Sequence, residues 1–247
     1  MTPADFIADF FRDSTGSIYL CSLPNERDGG RPAEICGRGD GGRLNTLVLQ
    51  TWDRRDRGTF FCVNTVTPGQ ARRSKETVHE VTCLHCDLDF SKIDTAPDTV
   101  LQQLRALEYP PSKIVRSGHG LHGYWLLREP PAATPETVLQ AETALRGIAD
   151  ILGRDPAVAE IARLMRLPGS HNTKNGERLP VTVIFDTGAR YSCKTWPRIW
   201  SPGCVRDAVG QNNRDSCRIA ALDLRAYFAA SISGISCTYW PLVAYRR

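Results

Sequence analysis

Cys83-Leu84-His85-Cys86-Asp87-Leu88-Asp89-Phe90 closes an apolar run that follows Val78 and Val81. Residues i and i+2 of a strand point to one side, so Asp87 and Asp89 should project together while Leu88 faces the core. Two carboxylates about 4–5 Å apart repel by roughly 4 kcal/mol at an effective dielectric near 20. A hard divalent cation, Mg²⁺ or Mn²⁺, removes that penalty. The plain alternative is a strand end at which two aspartates face water.

Outward from this stretch the chain alternates strands and helices, an α/β (α+β) layout with mixed sheets. Pro3–Phe11 reads as an amphipathic helix and 17–22 as a strand, and residues 24–43 read as an exposed loop. Strands are expected over 44–52 and 59–66, on either side of the charged turn Asp53-Arg54-Arg55-Asp56-Arg57-Gly58. A second basic cluster is Ala71-Arg72-Arg73-Ser74-Lys75. Thr95-Ala96-Pro97-Asp98 starts a helix to about Leu107. Residues 113–116 and 121–127 make a hairpin around Ser117-Gly118-His119-Gly120. Thr134-Pro135-Glu136 opens a helix to about Leu152, with Leu139, Leu145, Ile148 and Leu152 inward. Asp155-Pro156 opens another, to about Leu167. Strands close the domain at 181–185 and 190–194. Residues 1–200 thus form one domain, and 201–247 a tail of different composition, helical in part, with no assigned role.

With 31 basic and 27 acidic residues the net charge is +4, compatible with nucleic acid but too weak to argue for it. No apolar run approaches the ~18 residues of a membrane span. Asp5 and Asp9 stand where a signal peptide would be basic. The nine scattered cysteines suit reduced thiols in a cytoplasmic protein. Cys83-x-x-Cys86 lacks a second pair to complete a zinc site, and its odd spacing sends the thiols to opposite strand faces.

Two further segments carry chemistry. Ser117-Gly118-His119-Gly120-Leu121-His122-Gly123-Tyr124-Trp125 has glycines that permit close backbone approach, as around a phosphate. On its strand His122, Tyr124 and Leu126 share a face, with Trp125 opposite. Glu160-Ile161-Ala162-Arg163-Leu164-Met165-Arg166-Leu167-Pro168-Gly169-Ser170-His171-Asn172-Thr173-Lys174, if helical at its start, sets Glu160, Arg163 and Arg166 one turn apart. Lys174 follows in a loop. Three acids, a histidine, two arginines and a lysine suit a metal–triphosphate complex.

The set resembles the archaeo-eukaryotic primase superfamily, and more closely the RepB-like primase-polymerases of phages, plasmids and other mobile elements. Asp87-x-Asp89 matches its first motif. Ser117, Gly118, Gly120, His122, Tyr124 and Trp125 match the second, and Arg163, Arg166, Pro168, Gly169, Ser170, Asn172 and Lys174 the third. The resemblance covers roughly residues 40–195. Glu160 stands where the family usually has Asp, which moves the carboxylate outward by one methylene; Asp155 is the fallback ligand.

The resemblance implies an RRM-like mixed sheet with an N-terminal α/β extension, and template-directed nucleotidyl transfer on single-stranded DNA. Asp87, Asp89 and Glu160 would hold two Mg²⁺ or Mn²⁺ ions. Ser117, Gly118, Gly120, His122, Arg163, Arg166, Asn172 and Lys174 would bind the incoming NTP or dNTP. A replicative helicase is an implied partner, although no G-x-x-x-x-G-K-[ST] occurs in this chain. Two other classes remain open: a non-catalytic replication initiator with the same fold, and a metal-dependent nuclease.

Overall fold

The computed structural model describes residues 1–26, 30–152 and 159–196. Helix α1 (Pro3–Phe10) starts on a reciprocal cap: Thr2 Oγ1 accepts from the Asp5 amide at 3.2 Å, and Asp5 Oδ2 accepts from the Thr2 amide at 3.0 Å. Its buried face carries Phe6, Ile7 and Phe10. Strand β1 (Ile18–Pro24) follows as expected. The anticipated loop over 24–43 instead contains β2 (Ala33–Gly37), paired antiparallel with β1.

The strand expected over 44–52 is helical: α2 (Gly41–Thr46) runs into a π-type segment, Leu47–Trp52. Asp40 caps α2 by accepting from the Gly42 amide at 2.7 Å. Val48 and Trp52, four apart, are the residues the π-type segment buries, so the apolar run has a helical period.

Next come β3 (Arg57–Cys62), β4 (Thr65–Val66), β5 (Val78–Glu80) and β6 (Cys83–Asp89). Helix α3 (Pro97–Arg105) precedes the hairpin β7 (Lys113–Arg116) and β8 (Gly120–Leu126). Helix α4 (Pro135–Ile151) is capped by Thr134. It buries Leu145 and Ile148 as expected, but Leu139 is on its exposed side.

The helix expected through 156–167 is not formed where it is described: Ile161 and Ala162 make a turn and β9 (Leu164–Arg166) is a strand on the edge of β3. Here tertiary pairing overrides local propensity. The last strands among the described residues are β10 (His171–Asn172), β11 (Leu179–Pro180) and β12 (Thr182–Asp186). The strand expected over 190–194 reduces to one parallel bridge, Leu127 to Tyr191, and a 3₁₀ turn. Asp155 and the tail 201–247 lie outside the described residues.

Two four-stranded sheets result, ordered β2-β1-β3-β9 and β12-β7-β8-β6. The fold class is α+β as expected, but the ladders within both sheets are antiparallel instead of mixed. Helices α3 and α4 cover one face of the second sheet: Val100, Leu104, Ala144 and Ile148 pack with Leu84, Leu88, Leu121 and Trp125. Its other face meets α1 and the first sheet, where Phe10 and Phe61 pack edge-on and Tyr124 sits edge-on to Phe10. Cys83 joins this second core and Cys86 the first, as the strand period requires.

The register of β6 on β8 decides which side chains face the inter-sheet groove. It is held at its far end by Gly120, where a Cβ would lie 2.2 Å from the carbonyl oxygen of Leu88. That neighbour is backbone and cannot yield without separating the strands. Gly120→Ala is expected to cost about 2–3 kcal/mol in urea unfolding; a loss below about 0.5 kcal/mol would mean the strands part easily here.

Candidate active site

Asp87 and Asp89 leave the same face of β6, and Leu88 between them is fully buried on the other. Opposite them on β8 stand His122 and Gly120. Asp87 is the hub. Its Oδ1 is 3.7 Å from His122 Nε2, and its Oδ2 accepts from Arg163 Nη2 at 3.3 Å.

His122 is buried, with Nδ1 3.1 Å from the hydroxyl of Tyr124. Burial raises the Tyr124 phenol far above its ordinary pKa, so it stays protonated and is able to donate to Nδ1. With the phenol donating, the neutral imidazole would carry its proton on Nε2, toward Asp87. Burial drives the His122 pKa down to about 4; Asp87 opposes this, while Arg166 and Arg163 reinforce it. The ring is neutral at neutral pH.

Asp89 accepts from Ser91 Oγ at 2.7 Å and from the Ser91 amide at 3.0 Å. The Ser91 side-chain bond leads in lowering its pKa, and Lys92 and Lys174 also contribute. Asp87 and Asp89 thus present oxygen donors on one strand face, a donor type that suits a hard divalent cation. Glu160 does not join them. Its Oε1 is 3.9 Å from Arg73 Nη1 and its side chain is 48% exposed. Among the described residues no three of His, Cys, Asp and Glu gather closely enough to hold one ion. The three-acid cage expected from sequence is thus not assembled, because the turn at Ile161-Ala162 replaces the helix that would have aligned 160 with 163. That turn is fastened by Asn64 Nδ2, donating to the Ile161 carbonyl at 2.7 Å, and by Arg73, donating to that of Ala162.

Arg163 and Arg166 reach the site from an extended segment. Arg163 Nε and Arg166 Nη1 are buried with no hydrogen-bond partner among the described residues. Arg166 lies over the Phe60 ring, its guanidinium carbon 4.9 Å from the centroid, and burial lowers its pKa to about 10 against the pull of Asp87.

Several other motif residues are engaged in holding the site's shape. Gly118 has φ +97°, and a Cβ there would lie 2.8 Å from Asn172 Nδ2. Asn172 donates from Nδ2 to the Ser117 carbonyl at 2.8 Å and accepts the Lys174 amide on Oδ1 at 3.1 Å. Ser117 donates its amide to the Gly120 carbonyl at 3.0 Å, closing the hairpin. Lys174 itself is exposed.

Sequence inspection missed Arg73, the partner of Glu160, and Phe60, the seat of Arg166. Arg73 was visible only as part of a basic cluster, and no spacing linked it to 160. It also missed the carboxylate of Asp53, which His171 and Arg178 share at 2.7 and 3.0 Å.

Two antiparallel sheets thus flank a groove that carries a carboxylate, a histidine and two arginines. The fold is similar to the AEP domain of the cyanophage S-2L primase-polymerase, with TM-score 0.59 and 16% identity over 80% of this chain and 96% of that one. It is also similar to primase RepB′ (TM-score 0.52, 14% identity, 94% of this chain and 68% of that one). The catalytic domain of RepB′ in complex with initiator DNA gives TM-score 0.51 and 11% identity over 91% and 99%.

The chain belongs to the RepB DNA-primase N-terminal domain family, whose model matches residues 36–193. A replication protein of Clostridium perfringens is 25% identical over 132 residues, 51% of this chain and 32% of that protein, so the chain spans about a third of the length of that relative. No helix among the described residues is long and apolar enough to cross a membrane.

The low pKa of His122 links stability to pH. Between about pH 4 and 6.5 the unfolded chain binds a proton on this ring that the folded chain does not, so stability falls as pH drops through that window. The full effect is up to about 3 kcal/mol. His122→Asn should show a shallower loss from pH 6.5 to 5 in urea titrations, and identical slopes would mean His122 is not held neutral.

Proposed function

We propose that this chain is the catalytic domain of a replication primase that performs template-directed nucleotidyl transfer on single-stranded DNA. One observation carries the reading: side chains from three separated motifs meet at one carboxylate, Arg163 at 3.3 Å and His122 at 3.7 Å from the two oxygens of Asp87. The family match and the primase folds it resembles support the same reading, and the similar RepB′ catalytic domain is described with initiator DNA.

Asp87 and Asp89 would hold Mg²⁺ or Mn²⁺, which when bound supplies activation of the attacking hydroxyl and neutralises charge on the leaving pyrophosphate. The protein's own part is electrostatic and positional. Arg163 and Arg166 carry buried N–H groups that no acceptor among the described residues satisfies, and the non-bridging oxygens of an NTP or dNTP supply such acceptors. His122, neutral, donates from Nε2 without adding a charge beside the two guanidiniums. Lys174 adds an exposed cation on the Asp89 side. Ser117, Gly118, Gly120 and Asn172 hold the hairpin close enough for its backbone to border the nucleotide. A replicative helicase acting with this domain is part of the same proposal.

The engagement of Glu160 with Arg73 favours a second reading, a non-catalytic initiator that binds DNA with this fold. Incorporation of labelled nucleotide on a primed single-stranded template with Mn²⁺ separates the two. The catalytic reading predicts product from the wild type. It also predicts none from Asp87→Ala/Asp89→Ala, which should keep its DNA affinity. Absence of product from the wild type at high enzyme excess supports the initiator, and unchanged incorporation by the double variant removes the aspartates from the site.

A further inference from the structure

Arg166 is held in an unusual way. Its partner across the β3–β9 ladder is Phe60, and the guanidinium lies over that ring instead of against a carboxylate. Gly58, two residues earlier on the same strand, makes the arrangement possible. A Cβ at 58 would sit 2.7 Å from Arg166 Nη1, and 2.7 and 2.9 Å from Cε2 and Cζ of Phe60. The stacked pair therefore occupies space that only glycine leaves.

The consequence is chemical. A carboxylate or carbonyl would fix a guanidinium by using its in-plane N–H groups, whereas an aromatic face holds it from above and leaves those groups for a ligand. Arg166 Nη1 is buried and has no hydrogen-bond partner among the described residues, as this mode of fixation requires.

We propose that Gly58 and Phe60 are positioning residues that preset the Arg166 guanidinium for the phosphates of a nucleoside triphosphate. Neither belongs to the three motifs. The inference rests on the nucleotide-binding role given to Arg166 above.

The test is a fluorescence anisotropy titration of the full chain with an N-methylanthraniloyl ATP probe and Mg²⁺, followed by displacement with ATP and with AMP. Phe60→Leu keeps an apolar side chain but loses the ring. It should weaken triphosphate binding about three- to tenfold, with AMP affinity little changed. Phe60→Trp, which restores an aromatic face, should recover most of the loss. Gly58→Ala should resemble Phe60→Leu, because Arg166 can move its flexible end aside without unfolding the strand.

Thermal melting of each variant is recorded in parallel. Equal losses for ATP and AMP, or equal affinities for the Leu and Trp variants, would overturn the positioning role. Arg166→Ala separates this failure from that of the underlying reading. If it binds the probe like wild type, the nucleotide role of Arg166 falls and the inference with it. If it binds weakly while Phe60→Leu and Gly58→Ala bind like wild type, only the positioning role falls.

Discussion

Three residues paired to the edge of one strand hold this site together. Leu164–Arg166 add to β3 in antiparallel register, with Phe60 opposite Arg166 and Cys62 opposite Leu164. The approach to this ladder is tied down at each step: the Val63 amide donates to the Arg163 carbonyl at 3.0 Å, and Asn64 and Arg73 bind the two carbonyls before it. Residues of the first sheet are thereby carried to a carboxylate on the second. The second sheet makes its own contribution through β6 and β8, whose unbroken register from Cys83–Leu126 to Asp89–Gly120 sets Asp87 against His122. A slip of β6 by one residue would turn Asp87 and Asp89 to the helix-covered face and away from His122.

The acids of the molecule divide by how completely they are satisfied. Glu80 accepts from the Thr15 amide and hydroxyl, the Gly16 amide and the Thr65 hydroxyl, and these bonds hold its pKa low against burial. Lys113, almost fully buried, lies between Asp9 and Asp186 and ties α1 to β7 and β12. Such groups are internally complete. Asp87 is not: it takes one long hydrogen bond from Arg163, beside guanidinium nitrogens that have no acceptor among the described residues. Buried polar groups left unsatisfied cost folding free energy, and two of those among the described residues, Arg163 Nε and Arg166 Nη1, belong to arginines whose charges interact with Asp87.

The motif residues share the work between aiming and bracing. Asp87, Asp89, His122, Arg163 and Arg166 present charge or a proton to the groove. Asn172 spends both ends of its amide joining the hairpin at Ser117 to the loop at Lys174, and Gly118 admits that amide where a side chain would collide. A motif thus encodes the second layer of a site as firmly as the first, since a charged group misplaced by an ångström loses its geometry.

Sequence alone determined what rests on short-range period and local capping. The common face of Asp87 and Asp89, the burial of Leu88, the hairpin that carries His122 and the start of α4 follow from alternation within a strand and from one side chain capping the next turn. The alternation of strands and helices gave the α+β class, and family resemblance drew the three motifs together. The tertiary structure decided the rest. The 41–52 segment has apolar residues at both strand and helix spacing, and the Asp40 cap with the burial of Val48 and Trp52 resolved it as helical. Leu164–Arg166 became a strand because an open edge of β3, distant in sequence, offered hydrogen bonds that a local helix could not match. That capture carried Arg163 and Arg166 into the groove and left Glu160 outside it, facing Arg73. No periodicity in the chain encodes such a pairing, because strand partners are chosen by contact across the fold.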